Sequence, residues 1–163
     1  MDFPDLDAHL ESARVWTDGD TLHMATGRME RAWTWKRCGL ATTYLANLDS
    51  SHTWVQLSAD AAQWDWRLPG LSDGPAQLVS LTAEPADDEG FTRPHLRMVA
   101  ELHYPESGID LRYVIWAYPD SPGIRTQLAL RAADGYQPED GLDQENAYVE
   151  ALPLPGGTGY RYV

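Results

Sequence analysis

The chain has 163 residues, a formal net charge of −13 and a hydrophobic content of 43%. This length suits one domain with a core of its own, and the composition is that of a folded soluble protein. The excess of acidic groups disfavours nucleic acids and anionic membrane surfaces as partners, because it repels phosphate backbones and anionic headgroups.

Two further features bear on compartment and redox state. Cys38 is the only cysteine, which excludes an internal disulfide. The chain lacks an apolar run of about 18 residues, the length that a membrane span needs. Its first residues, Met-Asp-Phe-Pro-Asp-Leu-Asp, lack the apolar centre of a signal peptide. We therefore expect a cytoplasmic protein.

The first half of the chain predicts an arm followed by short strands. Residues 1–13 are weakly amphipathic and fit a short helix or arm. Asp18-Gly19-Asp20 is a hairpin signal that separates two short strands. Residues 59–75 are less regular. The strands predicted in this half are 14–17, 21–25, 28–36, 40–47 and 52–58.

The second half carries the clearest pattern. Residues 109–118 are apolar at both odd and even positions, which indicates a strand buried on both faces. After a Pro- and Gly-containing turn, residues 124–131 alternate between apolar and polar side chains, as in a strand buried on one face. With strands at 77–84 and 95–104, these segments predict an antiparallel meander.

Together the nine or ten predicted strands and their short turns are typical of an all-β protein. We expect a large antiparallel two-sheet sandwich formed by a single domain over residues 1–163. Residues 1–13 would be its N-terminal arm, and residues 133–163 an irregular tail rich in Gly, Pro and acidic groups.

Two segments resemble a known family. The first is Gly27-Arg28-Met29-Glu30-Arg31-Ala32-Trp33, which is followed by a turn and Leu40-Ala-Thr-Thr-Tyr44. The second is the turn Tyr118-Pro119-Asp120-Ser121-Pro122-Gly123-Ile124-Arg125 at the end of the meander. This order resembles the N-terminal β-sandwich of α-galactosidase-type glycoside hydrolases, chiefly glycoside hydrolase family 36 and its clan relatives. The similarity covers about residues 20–155.

The resemblance implies a supersandwich like that of galactose mutarotase-type domains, and a supporting role rather than catalysis. In that family two aspartates of a following (β/α)8 barrel cleave terminal α-galactosides, and these 163 residues contain nothing that resembles the barrel. We therefore expect a non-enzymatic domain that packs on such a barrel or shapes its sugar site, and that could also form a homo-oligomer. The alternatives are a free-standing carbohydrate-binding module and a mutarotase-like enzyme.

Sugar recognition requires flat apolar rings beside groups that can bond hydroxyls, and Trp64-Asp65-Trp66-Arg67 supplies both. These four residues are the candidate carbohydrate site. In an ideal strand Trp64 and Trp66 would share one face, with Asp65 and Arg67 on the other. A different interpretation of the two rings is that they fill the edge of the sandwich or contact the barrel.

Other polar residues offer weaker candidates. Asp87-Asp88-Glu89 is most simply a solvated charge run. Asp110 is expected to cap the end of its strand near Gly108. The five histidines lack the spacing of metal ligands, so neither a metal nor a cofactor is expected. A mutarotase would need a His and a Glu that converge, and its plausible donors are Glu84, His95, Glu101 and His103.

Overall fold

The protein is described by a computed structural model that covers residues 2–66, 71, 74–132 and 152. Within these ranges the secondary structure consists of ten β-strands without a helix, so they contain no helical segment that could cross a membrane. The strands are β1 (Asp7–Leu10), β2 (Ala13–Asp18), β3 (Thr21–Ala25), β4 (Met29–Lys36), β5 (Gly39–Asn47), β6 (His52–Gln56), β7 (Gln77–Ala86), β8 (His95–Tyr104), β9 (Ile109–Ala117) and β10 (Arg125–Ala132).

The strands form two antiparallel sheets. One sheet has six strands in the order β1-β2-β3-β4-β5-β6, and the other has four in the order β10-β9-β8-β7. The prediction of an all-β, two-sheet antiparallel fold is confirmed, as is the meander of the second half. Every sheet neighbour is also a neighbour in sequence, so the first half is a meander as well, which its sequence pattern did not decide.

The core lies between the sheets. Leu22, Met24 and Trp33 from the six-stranded sheet belong to the same buried cluster as Met98 and Tyr113 from the four-stranded sheet. These side chains lie on alternate positions of their strands, because a period of two directs every second residue to one face. Burial of this apolar face is the main favourable contribution to folding.

Strand β9 is buried on both faces, as its sequence predicts. One face contributes residues such as Ile109 and Ile115 to the main core. The other face, which points away from the six-stranded sheet and is called the outer face below, carries a second buried cluster. This cluster consists of Val99, Val114 and Trp116, with Tyr118 packed against it.

Of the two possibilities for residues 1–13, a short helix or an arm, the helix does not form at residues 7–10. These residues form strand β1, because Ala8 and Leu10 point to the core with a period of two and β1 pairs with β2. The prediction that one face of residues 124–131 is buried is met only in part. The apolar side of β10 is half covered, and Leu130 is 43% exposed, because β10 is an edge strand. The tail predicted at 133–163 lies outside the described residues, apart from Leu152.

The turn between β9 and β10 is fastened to the other sheet. The Asp120 amide donates to the Thr26 carbonyl at 2.7 Å, and Thr26 Oγ1 donates to the Ser121 carbonyl at 2.6 Å. Ser12 Oγ completes the joint with a 2.7 Å bond to Asp120 Oδ1. Gly27 lies against the same groups with φ +90°, and a Cβ there would be 2.8 Å from Ser12 Cβ. We call these five residues the turn joint.

Candidate functional site

The structure places most of the predicted sugar site in the interior. Asp65 is fully buried, Trp66 is almost fully buried, and Trp64 is half-buried. Arg67 lies outside the described residues. The segment is not a strand, so Asp65 and Trp66 both turn inward instead of alternating. Their side chains are therefore not presented to solvent, where a saccharide would meet them.

The Asp65 carboxylate is the centre of a buried polar network. Its Oδ2 accepts a 2.7 Å bond from Arg31 Nη2 and a 2.9 Å bond from the Trp33 indole N–H. Its Oδ1 accepts the Thr42 amide at 2.7 Å, and Thr42 Oγ1 donates to Oδ2 at 2.8 Å. A buried charge is stable only when it is paired and hydrogen-bonded, and this network supplies both conditions. It holds the 57–66 segment against strands β4 and β5.

Sequence reasoning missed the part that Arg31 plays in this network. Arg31 occupies an inward position of β4, in register with Met24 on β3 and Leu45 on β5. The sequence does contain one signal of this role: an arginine at a strand position whose neighbours on the same face are apolar. Arginine is rarely buried without a partner, so such a position indicates a buried ion pair. The sequence did not show which carboxylate would meet it, since Asp65 lies 34 residues away.

Trp66 is also held by specific contacts. Its indole N–H donates to Tyr104 Oη at 2.9 Å, and that hydroxyl donates to the Cys38 carbonyl at 2.7 Å. Its ring lies 5.3 Å from the Tyr113 ring and contacts Gly39 so closely that a Cβ at that position would clash with it. Burial raises the pKa of Tyr104 to about 12, which keeps the hydroxyl protonated as a donor.

A second polar group lies on the outer face of the four-stranded sheet. His103 Nδ1 is 2.8 Å from Asp110 Oδ1, and Arg131 Nη2 donates to Asp110 Oδ2 at 2.7 Å. The bond from Arg131 is the main reason that the pKa of Asp110 is lowered, and His103 adds to it. The prediction that Asp110 caps its strand is wrong, because the carboxylate instead links side chains of β8, β9 and β10. A cavity of about 380 Å³ adjoins this group, with Glu101 and Arg112 in its lining.

The four acid–base candidates for a mutarotase separate into two pairs. Glu101 and His103 share the outer face of β8, two residues apart, and Glu101 accepts a 3.0 Å bond from Ser80. Glu84 and His95 lie towards the opposite end of the same face, where Glu84 pairs with Arg97 at 2.6 Å. Each glutamate therefore already has a partner from a neighbouring strand.

The acidic run lies in the loop between β7 and β8. Asp87 and Glu89 are exposed, and Asp88 is half-buried and accepts a 3.1 Å bond from Thr92. The described part of the chain contains no group of three or more His, Cys, Asp or Glu side chains arranged to hold a metal ion.

Comparison with known proteins adds no relative. No protein-family model matches the chain, and no curated protein or solved structure matches it either.

Proposed function

We propose that this chain is a non-catalytic accessory domain of a carbohydrate-active enzyme of the α-galactosidase type. Its role would be to pack on a catalytic (β/α)8 barrel and to support or shape the sugar site of that barrel. The two-sheet fold agrees with this proposal, but a fold alone does not determine function. The support must therefore come from what individual residues do.

The observation that carries the proposal is the turn joint. The two segments that resemble the glycoside hydrolase domain, at 27–33 and 118–125, are distant in sequence. In the structure Gly27 of the first meets Asp120 of the second across the two sheets. Residues that carry the resemblance therefore connect the two sheets. This structural role is what a supporting domain requires of them.

The two carboxylates that are the best candidates for catalysis already form ion pairs within the domain, which agrees with a supporting role. A retaining glycosidase needs two carboxyl groups about 5–5.5 Å apart that face a bound glycoside. Asp65 is buried against Arg31, and Asp110 is paired with Arg131 and His103. Each carboxylate thus stabilises the sandwich through an arginine, and this use competes with a role as nucleophile or general acid.

Hydrolysis assays test the proposal directly. The purified chain is incubated with aryl α-D-galactosides, with an active α-galactosidase as the positive control. The expected rate is that of buffer alone. Hydrolysis above the buffer rate that disappears in Asp110→Asn, a variant that keeps the shape of the carboxylate, would overturn the proposal.

Packing on a barrel is a separate expectation. The reading frame downstream of Val163, or a gene beside it, should encode a (β/α)8 barrel with two facing aspartates. Co-expression of that barrel with the present chain should give a complex that elutes as one species in size-exclusion chromatography. Separate elution of two folded proteins would contradict this part of the proposal.

A further inference from the structure

A shallow groove crosses the face of the six-stranded sheet that points away from the core. Its volume is about 380 Å³. The inward neighbours of its residues, such as Leu22 and Trp33, belong to the main core, so the alternation of the strands places the groove on the solvent side. We call it the sheet groove, and its lining includes His23, Glu30, Ala32, Thr43, Tyr44 and Gln56.

The register of the strands explains why a depression forms at this place. Successive neighbours across β3, β4, β5 and β6 are His23, Ala32, Tyr44 and Gln56. Ala32 has the shortest side chain of the four, so the centre of this row is low and larger side chains stand on both sides of it. A β-bulge on β5 inserts Thr43 as an extra residue beside Tyr44, and both residues line the groove. Such bulges are over-represented next to active sites, where they re-aim side chains.

One wall of the sheet groove is held in place by the protein itself. The His23 ring stacks on the Trp16 ring at 4.6 Å, with an angle of 8° between their planes. His23 Nδ1 also lies 3.1 Å from Glu30 Oε1, and the two side chains are 21% and 23% exposed. A carboxylate only accepts, so Nδ1 carries the proton of the neutral ring and Nε2 can accept a hydrogen bond from a ligand. A polar side chain that is fixed in this way loses little freedom when a ligand binds.

The opposite wall offers hydrogen-bonding groups that the described part of the protein leaves unused. Neither the Tyr44 hydroxyl nor the side-chain amide of Gln56 has a hydrogen-bond partner among the described residues. Tyr44 is half-buried and Gln56 is exposed, so both are open to solvent. Each of these side chains can donate as well as accept. A ligand in the groove therefore meets them without displacing another side chain.

The chemistry of the lining favours a neutral ligand that is rich in hydroxyl groups. Among the described residues of the lining, Glu30 is the only one with a formal charge, and together with the net charge of −13 it repels anions. An ammonium group only donates, so it would leave the donors of the lining unused. A hydroxyl group donates and accepts, which matches Tyr44, Gln56 and His23. The Tyr44 ring and Leu57 add apolar surface for the C–H side of a sugar ring.

We propose that the sheet groove binds a neutral saccharide, with the C–H side of the sugar ring on Tyr44 and its hydroxyls on His23, Glu30 and Gln56. This proposal rests on the proposed carbohydrate-related function, and it places recognition of the sugar on the six-stranded sheet. The groove lies on the opposite side of that sheet from Asp65 and Trp66, which are buried.

Calorimetric titration with D-galactose, D-glucose and methyl α-D-galactoside tests the proposal, and methylammonium chloride is the cationic alternative. Wild-type protein should bind at least one of the three sugars at millimolar concentration. Tyr44→Phe and Gln56→Ala should each weaken binding about two- to tenfold, because each variant loses one hydrogen bond to the sugar. Tyr44→Ala also removes the ring, so it should weaken binding more than Tyr44→Phe does.

Two variants outside the groove serve as matched controls. Gln127 is exposed on β10, which is an edge strand as β6 is, so Gln127→Ala repeats the change made at Gln56. Tyr118 is half-buried like Tyr44 but follows β9 of the other sheet, so Tyr118→Phe repeats the loss of a hydroxyl. Both controls should bind the sugar with wild-type affinity. Thermal unfolding of each variant identifies any loss of binding that is due to misfolding.

The outcomes separate this inference from the proposed function. If the folded wild-type protein binds none of the three sugars at millimolar concentration, or binds methylammonium alone, the inference is wrong. Wild-type affinity in all the groove variants, or equal losses in these variants and their controls, would show that the sugar binds elsewhere and would also overturn it. None of these results affects the accessory role, which depends on the hydrolysis and co-expression experiments.

Discussion

At the scale of single residues, Asp65 is the most consequential side chain in the described structure. It is fully buried and accepts hydrogen bonds from three residues of the six-stranded sheet: Arg31, Trp33 and Thr42. Replacing a buried ion pair with apolar groups can be neutral, but removing one partner leaves an uncompensated charge. The effect of removing Asp65 on the free energy of unfolding therefore depends mainly on the buried Arg31 charge that is left without a partner.

We expect Asp65→Ala to lower the free energy of unfolding by about 3–5 kcal/mol, because it leaves the Arg31 guanidinium buried without its counter-charge. Urea denaturation followed by tryptophan fluorescence measures the change. Asp87→Ala, which removes an exposed carboxylate, should stay within about 0.5 kcal/mol of wild type. Similar losses in the two variants would show that the network is not a structural centre.

Tyr104 gives a prediction with a pH signature. Tyr104→Phe removes the partner of the Trp66 indole N–H and of the Cys38 carbonyl, so it should cost about 1–3 kcal/mol at neutral pH. Folding raises the pKa of Tyr104 from 10.0 to about 12. The stabilisation from a raised pKa is complete below the unfolded value and is lost as the pH rises through the folded value.

The difference in unfolding free energy between wild type and Tyr104→Phe should therefore be constant up to about pH 10 and shrink as the pH rises towards 12. Urea denaturation of both proteins across this range measures it, and groups common to both cancel in the difference. A difference that grows with pH would mean that the hydroxyl is not buried as described.

The sequence identified Trp64–Arg67 as a chemically rich segment, but not what the segment does. The prediction considered ideal strand alternation, whereas the segment is irregular and turns Asp65 and Trp66 inward together. The orientation depends on Arg31 and Tyr104, which lie 34 and 38 residues from their partners in this segment. Pairings at such separations leave no local pattern.

At the scale of elements, the turn joint requires a glycine at position 27. Its φ of +90° is strained for any other residue, and a Cβ would also contact Ser12 and Asp120. Gly90 has a similar φ of +86° but open space around it. Comparison of the two glycines therefore separates backbone strain from crowding in the joint.

We expect Gly90→Ala to cost about 1–2 kcal/mol from backbone strain alone. Gly27→Ala should cost more than Gly90→Ala, because it must also displace Ser12 or Asp120. The free energies of unfolding in urea give the comparison. Equal costs would mean that the joint has room for a methyl group and does not fasten the two sheets tightly.

Most elements could be predicted because their causes are local. Asp18-Gly19-Asp20 specifies a hairpin, and the two apolar faces of 109–117 specify a strand inside a layered structure. Strand β1 was missed because four residues are too few for a period of two to stand out from a helical pattern. The six-stranded sheet order was not predictable, since strand patterns indicate burial but not which neighbours pair.

At the scale of the whole molecule, the imbalance of charge is the dominant electrostatic feature. The chain has 25 acidic residues and 12 lysines and arginines, so carboxylates outnumber these cations by 13. Surface pairs such as Arg28–Asp49 at 2.6 Å contribute little each, because both side chains are exposed to solvent. Repulsion among the excess carboxylates should therefore outweigh the attraction within pairs, and it destabilises the compact state.

Added salt should accordingly stabilise the protein at neutral pH, because screening weakens the repulsion more than the few exposed pairs. We expect the melting temperature to rise by roughly 2–4 °C between low salt and about 0.5 M NaCl, which corresponds to about 1 kcal/mol for a chain of this size. Differential scanning calorimetry measures the shift. The same titration near the isoelectric point, about pH 4.5, is the control, since the net repulsion is absent there and the shift should vanish. A melting temperature that falls with salt at neutral pH would show that paired arginines, rather than the excess of carboxylates, govern the stability of the sandwich.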